Sequence, residues 1–290
     1  MATQLQQTSK FELVPLSPAI GVEARGLDIT KPLDGETRQL LRQAWAENSI
    51  LLVRTDGLTE DEQFAYARNF GDIADRVQPP VEKRSFRADP TNRMQLVTDE
   101  VDEEGKPKGS LGHSEMWFHT DKCYIEKPHR ASFLYAVDIP TEGGHTKFAS
   151  LYNAYDRLPP DLKNKLDGRK VLQLYDYTSN DFPDLNQNLD DLLHYWQPLF
   201  VTNPDTGRKA VYVTRLMSVR IEGMDDDEGR AVLDEICDII EAPDNIYDHR
   251  WIPGDIMLWD NLSSLHARTD WPQDQRRTLR RVTIKGDRLS

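Results

Sequence analysis

The chain has 290 residues, of which 38% are hydrophobic and 29% are charged, a composition typical of a globular protein with a sizeable core. Its formal net charge is −13 at pH 7, which opposes binding to phosphate backbones and to anionic membrane surfaces. We therefore expect neither a nucleic-acid partner nor a membrane partner.

The sequence also predicts a compartment. The first seven residues contain neither a basic cluster nor an apolar run, so a secretory signal peptide is not expected. No stretch approaches the roughly 20 apolar residues of a membrane-spanning helix. Two cysteines, Cys123 and Cys237, cannot form a disulfide framework, and we expect a reducing, cytoplasmic setting.

In chain order, the first third predicts short strands and two capped helices. Asp34 can cap a helix that runs to about residue 47, and Thr59 with Glu62 has the pattern of a capping box. The predicted strands of this part lie at 11–16, 20–24, 49–54 and 94–98. Two polar segments, 76–92 and 99–112, predict loops that could cover a site.

The rest of the chain continues the same alternation. Strands are predicted at 132–138, 145–149, 199–202, 210–214, 251–259 and 279–284, and helices at 152–157, 160–166 and 225–241. A third polar segment, 178–191, again predicts a surface loop. With no internal repeat and no convincing linker, we expect one domain over residues 1–290, ordered from about 11 to 286. Its class is α+β around a jelly roll.

A candidate metal site begins with His119-Thr120-Asp121. In an extended strand, alternate side chains share a face, so His119 and Asp121 would offer a nitrogen and an oxygen to one divalent metal. The pair alone is a weak signal. His266, far along the chain after a predicted strand and turn, supplies a third ligand.

Two histidines and one carboxylate leave three adjacent coordination positions open, which is the pattern of non-haem iron(II) oxygenases. A structural zinc site would instead be closed by four ligands. A metal-dependent hydrolase, or a non-catalytic jelly-roll binding protein, could use the same His119, Asp121 and His266, and both alternatives stay open at this point.

Four arginines follow His266, at positions 276, 277, 280 and 281, in an otherwise acidic chain. Arg277 and Arg281 share strand parity, so both could face one cavity. A guanidinium pairs bidentately with a carboxylate, so an inward arginine could anchor a dicarboxylate co-substrate. Arg276 and Arg280 could equally well lie on a solvated, salt-bridged strand face instead of facing a cavity.

Taken together, these motifs resemble the signature of the taurine dioxygenase and 2,4-dichlorophenoxyacetate dioxygenase family. The segments that carry the resemblance are His119-Thr120-Asp121, GGHTKFA at 143–149, Trp259-Asp260-Asn261, His266, and Arg277 with Arg281. Family members are iron(II)- and 2-oxoglutarate-dependent oxygenases with a double-stranded β-helix (a cupin-like jelly roll) and flanking helices, often dimers or tetramers. The resemblance covers about residues 11–286.

The resemblance implies a role for each matching position. His119, Asp121 and His266 would hold the iron and form the catalytic centre. Thr146 and Arg277 would bind the distal carboxylate of 2-oxoglutarate, which is converted with O₂ to succinate and CO₂. The tentative substrate contacts are Arg281, Lys122 and Tyr124.

Two departures from the family pattern bear on the substrate. Counting from Phe70-Gly71-Asp72, the position of the taurine enzyme's substrate-contacting histidine is Ala74, and the usual His-Pro before the hairpin is Gln197-Pro198. Taurine is therefore not expected. Because Asp121 is present, whereas related halogenases lack that carboxylate, we expect hydroxylation, or an oxidative cleavage or modification that follows from it. Arg281 indicates a small anionic substrate, such as a carboxylate, sulfonate, sulfate ester or phosphonate.

The residues around Asp121 could serve the site or the core. Trp117 and Phe118 could line the cavity or pack in the core. Lys122 could reach the substrate or only solvent, and Cys123 is expected to be an ordinary buried thiol.

Overall fold

The computed structural model describes residues 6–7, 10–75, 94–106, 108–109, 115–175, 189 and 192–290. The predicted loop 76–92 lies outside the described residues, as does the loop 178–191 apart from residue 189. Of the loop 99–112, residues 107 and 110–112 also lie outside. Its described part contains a turn in which the Gly105 N–H donates to the Asp102 carbonyl oxygen at 3.0 Å.

The described helices lie close to their predicted positions. They are α1 (Gly35–Asn48), α2 (Glu60–Ala67), α3 (Leu151–Arg157), α4 (Pro160–Leu166) and α5 (Asp226–Ile240). As predicted, the Asp34 carboxylate caps α1 by accepting the Thr37 N–H, and Thr59 with Glu62 forms the capping box of α2. None of the helices in the described segments is long and apolar enough to cross a membrane.

The described strands are β1 (Gln6–Gln7), β2 (Glu12–Pro15), β3 (Val22–Arg25), β4 (Ile50–Arg54), β5 (Gln95–Val97), β6 (Met116–His119), β7 (Ala131–Asp138), β8 (Thr146–Ser150), β9 (Lys170–Tyr175), β10 (Leu193–Pro198), β11 (Phe200–Thr202), β12 (Lys209–Val211), β13 (Ser218–Ile221), β14 (Ile246–His249), β15 (Asp255–Asp260), β16 (Ser264–Arg268) and β17 (Thr278–Ile284). Several of these were not predicted, namely β1, β9, β10, β13, β14 and β16.

Two sheets form the central architecture. The larger has the order β1-β2-β3-β4-β15-β7-β17-β5 and the smaller β14-β8-β16-β6. Leu52, Leu134 and Met257 of the larger sheet share one buried cluster with Phe148 of the smaller sheet. The two sheets therefore face each other across a common core, which is the predicted jelly-roll arrangement.

Helices cover the outer faces of this sandwich. Leu41 and Trp45 of α1 pack with Val53 and Phe133 on the outer side of the larger sheet. A second large cluster joins α3 and α5 to the β11–β12 hairpin. Burial on both faces explains why the central strands are almost continuously apolar.

One predicted strand is placed wrongly. Residues 251–259 were predicted as a single strand, but β15 begins only at Asp255. Pro253 has no N–H to give to a ladder, and Gly254 adopts φ +92°, so the chain turns here before entering the sheet.

Candidate active site

The three predicted metal ligands lie together. The ligand atoms of His119, Asp121 and His266 are all within 4.8 Å of one another. His119 ends β6 and His266 lies on the adjacent antiparallel strand β16, where the register places the two residues directly opposite each other. The two histidines are brought together by backbone pairing between strands distant in sequence.

Asp121 reaches this cluster by a different route from the one predicted. It does not continue the strand, because β6 ends at His119 and Asp121 opens a turn in which Lys122 has φ +61°. The Thr120 hydroxyl donates to the Asn261 carbonyl oxygen at 2.8 Å, which holds the chain where it leaves the strand. Asp121 is therefore not on the same strand face as His119, and that prediction was wrong. The three predicted ligands nevertheless lie close together.

The arrangement fits a divalent metal. The His119 Nδ1–H donates to the Trp117 carbonyl oxygen at 2.8 Å, so Nε2 is left as the metal-binding nitrogen. His266 Nδ1 is buried and has no hydrogen-bond partner within the described part of the chain. Burial lowers the pKa of both imidazoles, and for His266 the neighbouring His119 lowers it further. Neutral imidazoles and an ionised carboxylate are the protonation states that a metal requires.

A chain of hydrogen bonds orients the carboxylate. The Ser132 hydroxyl donates to Asp121 Oδ2 at 2.5 Å, and Asn261 Nδ2 donates to Ser132 Oγ at 3.3 Å. The Trp259 indole N–H fixes the Asn261 amide by donating to its Oδ1 at 3.0 Å. The motif Trp259-Asp260-Asn261 was part of the predicted signature, but this positioning role of Asn261 was missed, as was Ser132.

Arg281 lies beside the predicted metal ligands and forms an ion pair with Asp121. Burial by itself would raise the pKa of the Asp121 carboxyl, but the Arg281 guanidinium, together with the hydrogen bond from Ser132, outweighs burial and holds that pKa far below its usual range. The carboxylate is therefore ionised at any pH at which the protein would work. Arg281 also brings a positive charge next to the predicted metal ligands.

Lys122 adds a second positive charge beside the ligands. Its ammonium lies 5.3 Å from the centroid of the Tyr124 ring, and burial lowers its pKa to about 8, with Arg281 contributing. Tyr124 is itself buried and stacks on Tyr175 with ring centroids 4.8 Å apart. The Tyr124 ring thus lies between the Lys122 ammonium and the Tyr175 ring, and its substrate role stays a prediction.

The other neighbours are structural. The Cys123 thiol is buried against Met217 at 3.2 Å, as expected of an ordinary core thiol. Gln197, which replaces the family's usual histidine, donates to the carbonyl oxygens of Cys123 and Ile125 at 2.9 and 2.7 Å and so holds the turn after Asp121. Trp117 is 40% exposed and points away from the core.

The predicted co-substrate residues lie at one end of the sandwich. Thr146 begins β8 and Arg277 precedes β17, and both are buried. Arg277 Nε donates to the Gly144 carbonyl oxygen at 2.9 Å. Gly144 has φ +62°, and a Cβ on it would come within 3.0 Å of the arginine side chain, so this close approach requires glycine.

Arg277 and Arg281 have different neighbours. Arg281 pairs with Asp121, whereas Arg277 lies just before β17 and against the ring of Trp271, 5.4 Å from its centroid. That the two side chains face one cavity stays a prediction.

A buried polar network supports Thr146. The Trp251 indole N–H donates to Thr146 Oγ1 at 2.9 Å. His249 packs edge-on against Trp251, with ring centroids 4.6 Å apart, and bonds Asp255 Oδ2 through Nε2 and the Tyr247 hydroxyl through Nδ1, each at 3.0 Å. Apart from Thr146 itself, no residue of this network was predicted to serve the site.

Comparisons with known proteins identify the family. The model of the family described as "Taurine catabolism dioxygenase TauD, TfdA family" matches residues 12–283. The chain belongs to this family. It is accordingly an iron(II)- and 2-oxoglutarate-dependent dioxygenase that consumes O₂ and acts on a small molecule, and not the hydrolase or the non-catalytic binding protein considered above.

Its curated relatives match over nearly their whole lengths. The (S)-phenoxypropionate/alpha-ketoglutarate-dioxygenase of Sphingobium herbicidovorans is 28% identical over 289 residues, covering 97% of this chain and 96% of the relative. The alpha-ketoglutarate-dependent 2,4-dichlorophenoxyacetate dioxygenase of Cupriavidus pinatubonensis is 29% identical over 284 residues, covering 94% and 97%. The alpha-ketoglutarate-dependent sulfate ester dioxygenase of Pseudomonas putida is 24% identical over 292 residues, covering 96% and 90%.

Solved structures agree with the fold. A taurine dioxygenase from Burkholderia xenovorans superimposes with a TM-score of 0.79 at 25% identity, covering 97% of this chain and 91% of that structure. The structure of AAD-2 in complex with Mn(II) and N-oxalylglycine has a TM-score of 0.78 at 23% identity, covering 99% and 98%. The predicted α+β class with a jelly-roll core is confirmed.

Proposed function

We propose that His119, Asp121 and His266 hold the iron and that this dioxygenase hydroxylates a small anionic organic substrate. The observation that carries the proposal is the convergence of the three ligand atoms within 4.8 Å, with both histidines on paired strands. Two nitrogens and one oxygen leave open coordination positions for a co-substrate and O₂.

The residues around the 2-oxoglutarate position support its orientation. Arg277 would pair with the distal carboxylate through its terminal nitrogens, since its Nε is already engaged by Gly144. Thr146 would donate its hydroxyl to the same carboxylate. When bound, iron(II) and 2-oxoglutarate supply the oxidising chemistry, in which O₂ is consumed and succinate and CO₂ are released.

The remaining site residues position groups and exclude water. Ser132 and Asn261 hold the Asp121 carboxylate in one orientation, and the buried setting of the ligands limits solvent access. A fixed carboxylate and limited solvent access would direct the oxidation to the C–H bond that the substrate presents.

The charges beside the ligands support an anionic substrate. Arg281 and Lys122 place two cations next to Asp121, and Tyr124 lies under the Lys122 ammonium. The relatives named above act on phenoxypropionate, 2,4-dichlorophenoxyacetate and sulfate esters, all of which carry a negative charge. We therefore favour a carboxylate or a sulfate ester over a neutral substrate, with Arg281 as the principal contact and Lys122 as a second.

Two experiments test this function. Anaerobic addition of Fe(II) and 2-oxoglutarate is expected to produce a visible charge-transfer absorption band, which His119→Ala should abolish. A library of aryloxyalkanoates, alkyl sulfates, sulfonates and phosphonates is then screened for substrate-dependent succinate release. A band that survives in His119→Ala would contradict the ligand assignment, and release of succinate with neutral substrates alone would contradict the substrate class.

We also propose a single domain over residues 1–290, a cytoplasmic location and a homo-oligomer, either dimer or tetramer. The two cysteines are buried and free, which suits a reducing compartment. The homo-oligomer is what the resemblance to the family implies. Light scattering after size-exclusion chromatography measures the oligomeric state.

A further inference from the structure

An open cavity, here called the outer cavity, lies on the face of the larger sheet that is turned towards α2. Leu96 of β5, Arg280 of β17 and Tyr135 of β7 line it and lie side by side in the strand register. The loop 55–58, which leads from β4 into α2, also lines it. The volume of the outer cavity is about 680 Å³, which is typical of a site for a small molecule.

The larger sheet separates the outer cavity from the predicted metal ligands. Tyr135 belongs to the apolar cluster between this sheet and its helices, whereas its neighbour Leu134 belongs to the cluster between the two sheets. The same division holds on β17, where successive side chains point to opposite faces. Arg280 lies in the outer cavity, and Arg281 pairs with Asp121. The outer cavity is therefore not part of the active site.

Arg280 is the one cationic residue among those that line the outer cavity. Its guanidinium lies over the Tyr135 ring, 4.4 Å from the centroid, and one terminal nitrogen donates to the Leu58 carbonyl oxygen. These two contacts hold the cation in place beside the outer cavity.

Most of the hydrogen-bonding capacity of Arg280 is unused. A guanidinium has five N–H groups, and the bond to Leu58 is the one hydrogen bond that Arg280 makes to a residue in the described ranges. Glu60 and Glu62 attract its charge from the first turn of α2, but neither forms an ion pair with it. The other terminal nitrogen is thus available to an oxyanion.

The rest of the lining favours an apolar body on that anion. Val137 is 45% exposed, and Leu96 and Pro253 add further apolar surface. Asp56 is the one acidic residue of the lining, and because it is exposed, water and salt screen its charge. We infer that the outer cavity is a second ligand site, which binds a small organic carboxylate through Arg280 and through this apolar surface.

Fluorine NMR titration with 3-(4-fluorophenyl)propanoate tests the site. The protein is loaded with Zn(II) and 2-oxoglutarate, so that no turnover occurs. We expect saturable binding whose dissociation constant rises at least about tenfold in Arg280→Gln, because a charge-assisted hydrogen bond is lost. The neutral probe 3-(4-fluorophenyl)propanamide has the same apolar body and should bind at least about tenfold more weakly than the carboxylate.

A second variant keeps Arg280 and its bond to the loop 55–58. Val137→Asp places a negative charge on an exposed position of the outer cavity and should raise the dissociation constant about threefold or more. Leu193→Asp makes a similar change on β10, at a side chain that is 39% exposed and outside the cavity, and should bind like the unaltered protein.

Arg281→Met distinguishes the outer cavity from the active site, and it should bind the probe like the unaltered protein. Binding that is lost in Arg281→Met and kept in Arg280→Gln would place the probe in the active site and overturn the inference. Unchanged binding in both Arg280→Gln and Val137→Asp, equal affinity for the amide and the carboxylate, or no saturable binding to the unaltered protein would also overturn it.

Discussion

The indole N–H of Trp251 donates to the hydroxyl oxygen of Thr146 at 2.9 Å. Because the oxygen accepts this bond, the hydroxyl proton is free to be donated elsewhere, and a carboxylate oxygen is the acceptor that the proposed co-substrate offers. Trp251 therefore sets the direction in which Thr146 donates, although it need not touch 2-oxoglutarate itself.

Trp251→Phe removes this donor and keeps the aromatic packing. We expect the KM for 2-oxoglutarate to rise roughly three- to tenfold, as the loss of one hydrogen bond does, with kcat little changed. Steady-state kinetics with 2-oxoglutarate as the varied substrate measure the effect. Trp196→Phe, the same substitution on an exposed side chain, should leave both constants unchanged. A rise confined to the KM of the prime substrate would contradict the prediction.

Ser132→Ala removes the hydroxyl that bonds Asp121 Oδ2. We expect metal affinity to fall about 10- to 100-fold, because groups that orient a metal ligand contribute that much to binding. Competition titration with a chelating dye measures the dissociation constant of Mn(II) or Co(II). Ser218→Ala also removes a buried, hydrogen-bonded hydroxyl, bonded here to Gln173, and is the matched control. An equal loss in both variants would point to stability and not to ligand orientation.

His129 makes the stability of the metal-free protein depend on pH. It is 9% exposed, its Nδ1 has no hydrogen-bond partner among the described residues, and burial lowers its pKa to about 4. The unfolded chain takes up this proton near pH 6.5. Between these values the unfolded state binds more protons, so the free energy of unfolding decreases as the pH falls from about 6.5 to about 4.

Urea denaturation of the metal-free protein at pH 7.5 and 5.5 tests this contribution. We expect the loss of stability between the two pH values to be smaller by roughly 1 kcal/mol in His129→Gln than in the unaltered protein. His194→Gln changes a partly buried histidine of β10 and controls for the loss of one imidazole. If His129→Gln and the unaltered protein lose stability in parallel, His129 is not the group responsible.

Arg281 and Arg280 are adjacent on β17 and point to opposite faces of the sheet. Arg281 pairs with Asp121, whereas Arg280 stacks on the Tyr135 ring at 4.4 Å. We expect Arg281→Met to raise the KM for the anionic substrate at least about tenfold and to leave 2-oxoglutarate affinity unchanged. Metal affinity should not fall, because a cation beside the ligands is removed. Arg280→Met is the matched control, and an unchanged KM in Arg281→Met would refute the substrate role.

Features that depend on a local sequence pattern form as predicted. The cap at Asp34 and the capping box of Thr59 and Glu62 depend on residues three apart, and both form as predicted. The ligand set His119, Asp121 and His266 was predictable because few residue combinations suit such a metal, and a whole-chain resemblance supported it.

Features that depend on contacts between residues distant in sequence were not predicted. Thr120 leaves the strand because it bonds Asn261, 141 positions away, and no local pattern reveals that contact. Strand β16 was missed because five residues carry little periodicity, and its position is set by pairing with β8 and β6.

The placement of β15 and β17 has a consequence for how the protein matures. Both strands come from the last part of the described chain, yet β15 lies between β4 and β7, and β17 lies between β7 and β5. During synthesis, the larger sheet therefore stays divided until residues up to 284 have emerged from the ribosome. The strand that carries His266 also comes late in the chain, so the pairing of His266 with His119 forms only after most of the chain has been made.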